Sequence, residues 1–181
     1  GPNALIAPDM PAPDGPDCLN ASEVMRDLNG QGSDNSFSIY DNLQVRVPVN
    51  SPCAGLFLDP KAPKLGTEAR AEGWMRFSDG RSPCLRSNAL LLDAMFPPII
   101  NIQKSLWVPT LTMDFQFWGR PSQSCIDAGG WVRARMQTTV CQSGLLIEDG
   151  EIWDGVEDRL LGSSRQLAKF LPPAAVTKAA A

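Results

Sequence analysis

Hydrophobic and polar residues alternate with a period of two over 42–49, where a leucine and three valines fall on one side of the segment. This period is typical of a strand that buries one face. Pro48 has no N–H to donate to a sheet ladder, so the pattern places it at the end or edge of that strand. A second strand is predicted over 68–77, and a turn of serine, aspartate and glycine follows it.

The pattern then becomes helical over 83–95. The serine before Pro83 is a favourable N-cap, proline is a favourable first helical residue, and Pro97 and Pro98 end the helix. The second half of this helix is apolar on almost every side, which predicts that other elements surround it. Asp93 is the one carboxylate in that apolar stretch. Such a group is either a structural carboxylate satisfied by hydrogen bonds or one that is kept dry for chemistry.

Strand patterns return after the helix, over 110–118, 131–147 and 151–171. Four groups of turn-forming residues separate them: 119–121, 127–130, 148–150 and 154–155. The order is therefore two strands, one helix, and then three or four antiparallel strands. This order predicts an α+β domain in which an antiparallel sheet wraps around one central helix.

The length of 181 residues fits one domain with tails. Residues 1–41 are rich in proline and aspartate and are predicted to form a tether with one short helix. The folded domain is expected over 42–172, and 173–181 is expected to be a C-terminal tail. No phosphate-binding glycine motif and no internal repeat interrupts this division.

Charge and composition exclude several partners. The net charge is −4, from 16 basic and 20 acidic side chains, and no block of lysine and arginine occurs, so a nucleic-acid partner is not expected. No segment reaches the roughly 20 consecutive apolar residues that span a bilayer. The five cysteines are widely spaced without a CxxC pair, which suits reduced thiols.

The two ends of the sequence bear on the cellular compartment. The N-terminus has no basic region followed by an apolar stretch, and the chain ends in three alanines instead of a peroxisomal tripeptide. We therefore expect an intracellular location, cytoplasmic or organellar.

The chain contains no histidine, which excludes Ser-His-Asp and Cys-His nucleophile systems and histidine-bound zinc. We predict neither a metal nor an organic cofactor.

Five blocks occur in a characteristic order: GWMRFSDGR, LLLDAMFPP, PTLTMDFQFWGRP, GWVRARMQTTVCQSGLLIEDGEIWD and RLLGSSRQLAKFLP. Together they cover about 73–171 and resemble the second half of the acyl-CoA thioesterase II family. The resemblance implies a hotdog fold, in which an antiparallel sheet wraps around one helix. Members of that family contain two hotdogs in one chain. This chain has strands for only one.

The resemblance also implies a group of catalytic residues. In the family, an Asp near the end of the central helix, a Thr on the next strand and a Gln on the last strand hold the water that attacks the thioester. The Asp corresponds to Asp93 and the Gln to Gln166. The block PTLTMDF contains both Thr110 and Thr112, and an ungapped alignment puts Leu111 at the family's Thr. We favour Thr112 and keep Thr110 as the second choice.

These residues suit hydrolysis without histidine. Near the C-terminal end of an apolar helix, desolvation and the helix dipole both disfavour the ionised form of Asp93, which makes it a plausible base for a bound water. Thiolate is a good leaving group, so a positioned water and a carboxylate suffice. The resemblance thus implies a thioester hydrolase that acts on acyl-CoA or on an acyl-carrier substrate.

Two questions stay open at this stage. The partner hotdog is either an N-terminal half, another chain or a second copy. The alternative function is a non-catalytic hotdog module for dimerisation or acyl binding, accessory to an acyl or polyketide pathway. Acyl transfer to an alcohol or amine is a weaker third alternative.

Overall fold

A computed structural model describes residues 6–30, 39–103 and 107–171, except for the side chains of 27–30. The predicted tail over 173–181 lies outside these residues. The fold is built on a seven-stranded antiparallel sheet with the strand order β1-β2-β3-β5-β6-β7-β4. Its strands are β1 (Cys18–Asn20), β2 (Leu43–Pro48), β3 (Arg70–Phe77), β4 (Thr110–Phe117), β5 (Val132–Gln142), β6 (Leu145–Asp154) and β7 (Leu160–Lys169).

Short helices accompany this sheet. They are α1 (Ala21–Gly30), α2 (Gly55–Leu58), α3 (Ser87–Asp93) and α4 (Gln123–Asp127), with 3-10 turns at Ile39–Asp41 and Pro98–Asn101. Helix α3 packs against β4, β6 and β7, and Leu91 and Leu92 enter the main core. The predicted α+β class, an antiparallel sheet around one central helix, is confirmed. None of the described helices combines the length and the apolar composition that crossing a membrane requires.

The central helix is shorter than its pattern predicts. It begins at Ser87 and not at Pro83. The Ser87 hydroxyl accepts a hydrogen bond from the Cys84 N–H at 2.7 Å and donates to the Cys84 carbonyl at 2.8 Å, which stabilises a turn ahead of the helix. The helix is also not covered on every side, because Leu90 is 38% exposed on the same face as Asp93.

The β5–β6 hairpin corrects one predicted turn and divides the strand predicted over 131–147. The turn lies at Ser143 and Gly144, whose φ angles are 54° and 77°, and two positive φ values in a row are typical of a type I′ hairpin turn. The predicted turn over 148–150 is wrong, since these residues lie within β6. Glycine at position 150 lets β6 and β7 pack closely, because a Cβ at this position would lie 2.5 Å from the Ser164 hydroxyl oxygen.

The N-terminal segment is part of the domain and not a separate tether. Strand β1 pairs with β2, and the segment before it lies on the sheet. The Trp74 indole N–H donates to the Pro11 carbonyl at 2.9 Å, and Arg133 donates to the Pro8 carbonyl at 3.5 Å. Because β1 belongs to the sheet, the predicted boundary at residue 42 falls inside the sheet. The proline-rich segment before β1 is held against the strands, since its carbonyls accept hydrogen bonds from their side chains.

Candidate functional site

A cavity of about 210 Å³ lies at the C-terminal end of α3, between this helix and the inner face of the sheet. Its polar lining consists of Tyr40, Asp93, Thr110, Glu148, Ser164 and Gln166. The wall is otherwise apolar and includes Leu92, Met95, Phe96, Val108, Met113 and Met136. No lysine or arginine is among the described residues that line it. The described lining of the cavity therefore combines carboxylates with an apolar wall.

Asp93 is the last residue of α3; it lines this cavity and is also exposed to solvent, so the carboxylate is not fully dry. Partial burial raises the pKa of the Asp93 carboxyl, and its position at the C-terminal end of the helix acts in the same direction. Tyr40 lies near it: burial and then the Asp93 charge raise the pKa of the Tyr40 hydroxyl, which therefore stays protonated. The site thus presents a carboxylate whose affinity for a proton is increased.

Gln166 reaches the cavity from β7. Its side chain is buried, and its Oε1 accepts a hydrogen bond from the Thr110 hydroxyl at 3.2 Å. Asp93, Thr110 and Gln166 therefore line one cavity, although they come from α3, β4 and β7. The structure thus brings together Asp93 and Gln166, which were both favoured, with Thr110, which was the second choice after Thr112.

A bulge in β4 decides which threonine reaches the cavity. Thr110 is paired with Ala168 and Thr112 with the next residue, Leu167, so Leu111 is an extra residue in the strand. The buried residues of β7 face the cavity side, whereas Leu167 faces the other side. Thr112 is accordingly exposed on the outer face and does not line the cavity, which differs from the sequence-based preference for it.

Glu148 is a site residue that sequence analysis missed. Its Oε2 accepts a hydrogen bond from Gln166 Nε2 at 2.7 Å, and its Oε1 accepts one from the Thr138 hydroxyl at 3.2 Å. Burial, with a smaller contribution from the Asp93 charge, raises the pKa of Glu148 to about 7, against the lowering effect of these two hydrogen bonds.

A signal for Glu148 was present in the sequence. In β6, Leu146, Glu148, Gly150 and Ile152 alternate with less buried residues and form one buried face. The interpretation of Glu148-Asp149-Gly150 as a turn concealed this alternation. No group of three or more acidic or cysteine side chains in the described segments is arranged to hold a metal ion, and all five cysteines are free.

Strand β4 forms one edge of the sheet, and large apolar side chains are exposed along it. We call this surface the β4 patch; its residues are Trp107, Leu111, Phe115, Phe117 and Trp118. The rings of Phe115 and Phe117 stack with their centroids 6.3 Å apart. Among the described strands, β4 pairs only with β7, so its other edge is open. An open edge bordered by exposed aromatic residues is typical of an interaction surface.

Comparison with known families and structures gives one family match. The family model described as the acyl-CoA thioesterase C-terminal domain matches residues 14–170. Comparison with curated proteins produced no match.

Similar solved structures support the same fold. A protein of Thermobifida fusca assigned as a thioesterase II is 19% identical with a TM-score of 0.67, covering 94% of this chain and 56% of its own. A hot dog fold protein of Alicyclobacillus acidocaldarius is 18% identical with a TM-score of 0.65, covering 96% of this chain and 57% of its own. The TesB protein of Mycobacterium avium subspecies paratuberculosis is 16% identical with a TM-score of 0.57, covering 94% and 55%.

At these identities the likeness is one of fold, and the predicted hotdog fold is confirmed. The chain spans little more than half the length of each of these three proteins.

Proposed function

The chain belongs to the acyl-CoA thioesterase C-terminal domain family, and on this basis we propose that it supplies the catalytic residues of an acyl-thioester hydrolase. The observation that carries the proposal is the hydrogen bond from Thr110 to Gln166 in the same cavity as Asp93. A carboxylate of raised pKa beside two groups that bind water is the arrangement that general-base hydrolysis needs. The proposed substrate is an acyl-CoA or an acyl-carrier thioester.

In the proposed reaction, Asp93 accepts a proton from a water while the water oxygen attacks the thioester carbonyl carbon. Thr110 and Gln166 orient this water. The carbon–sulfur bond then breaks, and the thiolate takes the proton from Asp93, so that the products are a carboxylic acid and a free thiol. Asp93 acts in the ionised form, and the low polarity of the cavity wall strengthens its interaction with the water.

The two threonines of β4 provide a matched test of this proposal. We expect Thr110→Val to lower kcat for acyl-CoA hydrolysis roughly tenfold or more, because valine keeps the shape and removes the hydroxyl that binds Gln166. Thr112→Val is the control, and we expect it to leave kcat unchanged because Thr112 lies outside the cavity. Release of free thiol measures both. A loss in Thr112→Val with none in Thr110→Val would contradict the assignment.

The partner that we propose is a second hotdog that pairs along β4. The open edge of β4 offers unpaired backbone groups, and the β4 patch offers apolar surface next to them. The cavity is lined in part by Thr110 and Met113 of this same strand. A hotdog bound there would lie beside the cavity and reduce its access to water.

A charge in the β4 patch is expected to break this pairing. Phe117→Lys should shift the protein toward separate hotdogs and lower its turnover, since lysine cannot be buried without a partner. Leu58→Lys is the control, because Leu58 is also exposed and lies in α2, beside β1 at the opposite edge of the sheet. Light scattering and limited proteolysis of the full protein report the pairing. Unchanged assembly and unchanged turnover in Phe117→Lys would reject β4 as the interface.

A non-catalytic hotdog module is the second candidate, and the exposed β4 patch favours it because this patch suits association whether or not the cavity turns over substrate. This candidate predicts acyl-thioester binding or self-association without release of thiol. It also predicts that Asp93→Asn leaves that binding or association unchanged.

A further inference from the structure

Glu148 is a buried carboxylate, and no described residue that lines its cavity is a lysine or an arginine. The groups that face it in the cavity are Asp93 from α3 and Tyr40 from the 3-10 turn, while Thr138 of β5 and Gln166 of β7 bond it from the neighbouring strands. The nearby arginines of these strands belong to the outer face, where Arg165 is bonded to Asp149 and Arg135 to Glu72 and Glu151. Burying a carboxylate that has no positive charge to pair with costs free energy, so its position needs a structural or functional reason.

The hydrogen bonds around Glu148 form a directed chain. An ionised carboxylate only accepts hydrogen bonds, so the amide NH₂ of Gln166 has to point to Glu148. The amide oxygen of Gln166 then points to Thr110, which has to donate its single hydroxyl proton to it. The remaining lone pairs of Thr110 are free to accept. A water bound to Thr110 therefore donates to it.

We propose that Glu148 is a positioning residue: it fixes the direction of the Gln166–Thr110 hydrogen bond so that Thr110 accepts a hydrogen bond from the attacking water. The inference rests on the proposed hydrolysis. A water that donates one proton to Asp93 and the other to Thr110 has a lone pair left to direct at the carbonyl carbon. If Thr110 donated instead, its proton would occupy a lone pair of the water. One O–H of the water would then have no acceptor in this arrangement.

A proton on Oε2 of Glu148, the oxygen that faces Gln166, reverses this chain. Protonated Glu148 donates to the amide oxygen of Gln166, the amide turns its NH₂ to Thr110, and Thr110 has to donate into the cavity. Because the pKa of Glu148 is about 7, ionised Glu148 and the productive direction predominate above that pH. The kcat of the wild-type protein should therefore fall as the pH drops through about 7.

Glu148→Gln tests the inference through the pH profile of kcat in the full protein. The variant keeps a polar amide but has no proton to gain, so we expect the fall near pH 7 to disappear and the plateau at high pH to lie roughly tenfold lower, about the worth of one hydrogen bond. Glu151→Gln is the matched control on the outer face of the same strand and should keep the wild-type profile. A fall near pH 7 that persists in Glu148→Gln overturns the inference.

Thr138→Val provides the opposite shift. Removal of the Thr138 hydroxyl takes away one hydrogen bond to the ionised form of Glu148, so the fall in kcat should move to higher pH. A merely structural role for Glu148 predicts no such displacement, and an unchanged midpoint counts against the inference.

A measurement without substrate separates this inference from the proposed function. The side-chain amide resonances of Gln166 in NMR spectra, identified by their loss in Gln166→Glu, should shift with a midpoint near pH 7 in the wild type and not in Glu148→Gln. If the protein releases no thiol from any acyl-thioester, the proposed hydrolysis fails, and this titration still decides whether Glu148 directs Gln166. Amide resonances that do not respond over this pH range overturn the role of Glu148.

Discussion

Asp93→Asn is expected to lower kcat for acyl-thioester hydrolysis by about 10²- to 10⁴-fold, the usual worth of a general base. Asparagine has nearly the same shape as aspartate and still binds water, but it cannot take a proton at neutral pH. The structure also predicts that the protein stays folded. A negative charge at the C-terminal end of α3 opposes the helix dipole, so its removal should not destabilise the helix.

Two measurements separate chemistry from folding in this variant. Release of free thiol from acyl-CoA substrates of several chain lengths gives kcat, and thermal unfolding gives stability. Asp79→Asn is a matched control, because Asp79 is exposed in the turn after β3 and bonds only locally. Retained turnover in Asp93→Asn would remove Asp93 from the reaction, and equal loss in Asp79→Asn would point to a general defect.

Leu91→Ala is expected to lower the free energy of unfolding by about 2–5 kcal/mol, a large part of the stability of an ordinary domain. Leu91 is fully buried between the helix and the sheet, so its truncation leaves a cavity and removes apolar contacts. Alanine is a better helix former than leucine, and the loss is therefore one of packing and not of helix propensity.

The adjacent Leu90→Ala supplies the comparison. Leu90 is 38% exposed, so its truncation in this chain should cost much less, below about 1 kcal/mol. Urea unfolding of both variants measures the difference. Equal costs at the two positions would mean that the exposed face of α3 is covered in solution, as the proposed second hotdog could do if it extends over the helix.

The sheet and the central helix were predictable because their signals are local. The alternation over 42–49 and the apolar stretch before Pro97 and Pro98 each reflect which side of one element is buried. The start of the helix was less predictable. The turn between Cys84 and Ser87 depends on a serine side chain that can cap several positions, and the sequence does not say which one it caps.

The candidate site was predictable only in part. The resemblance pointed to Asp93 and Gln166, and both line the cavity. The choice between Thr110 and Thr112 depended on the bulge at Leu111, which exists only through the pairing of β4 with β7. A one-residue change of register moves a side chain to the opposite face of the sheet, and no local pattern in PTLTMDF reveals it.

The sequence by itself determined the α+β class, the placing of one central helix between two groups of strands, and the carboxylate in the apolar helix, because burial leaves a periodic pattern along the chain. Only the tertiary structure decided that Thr110 bonds Gln166 and that Glu148 completes the chain of hydrogen bonds. These contacts join residues 56 and 18 positions apart in the chain. Their geometry follows from strand register and close packing, which arise only when the sheet folds around the helix.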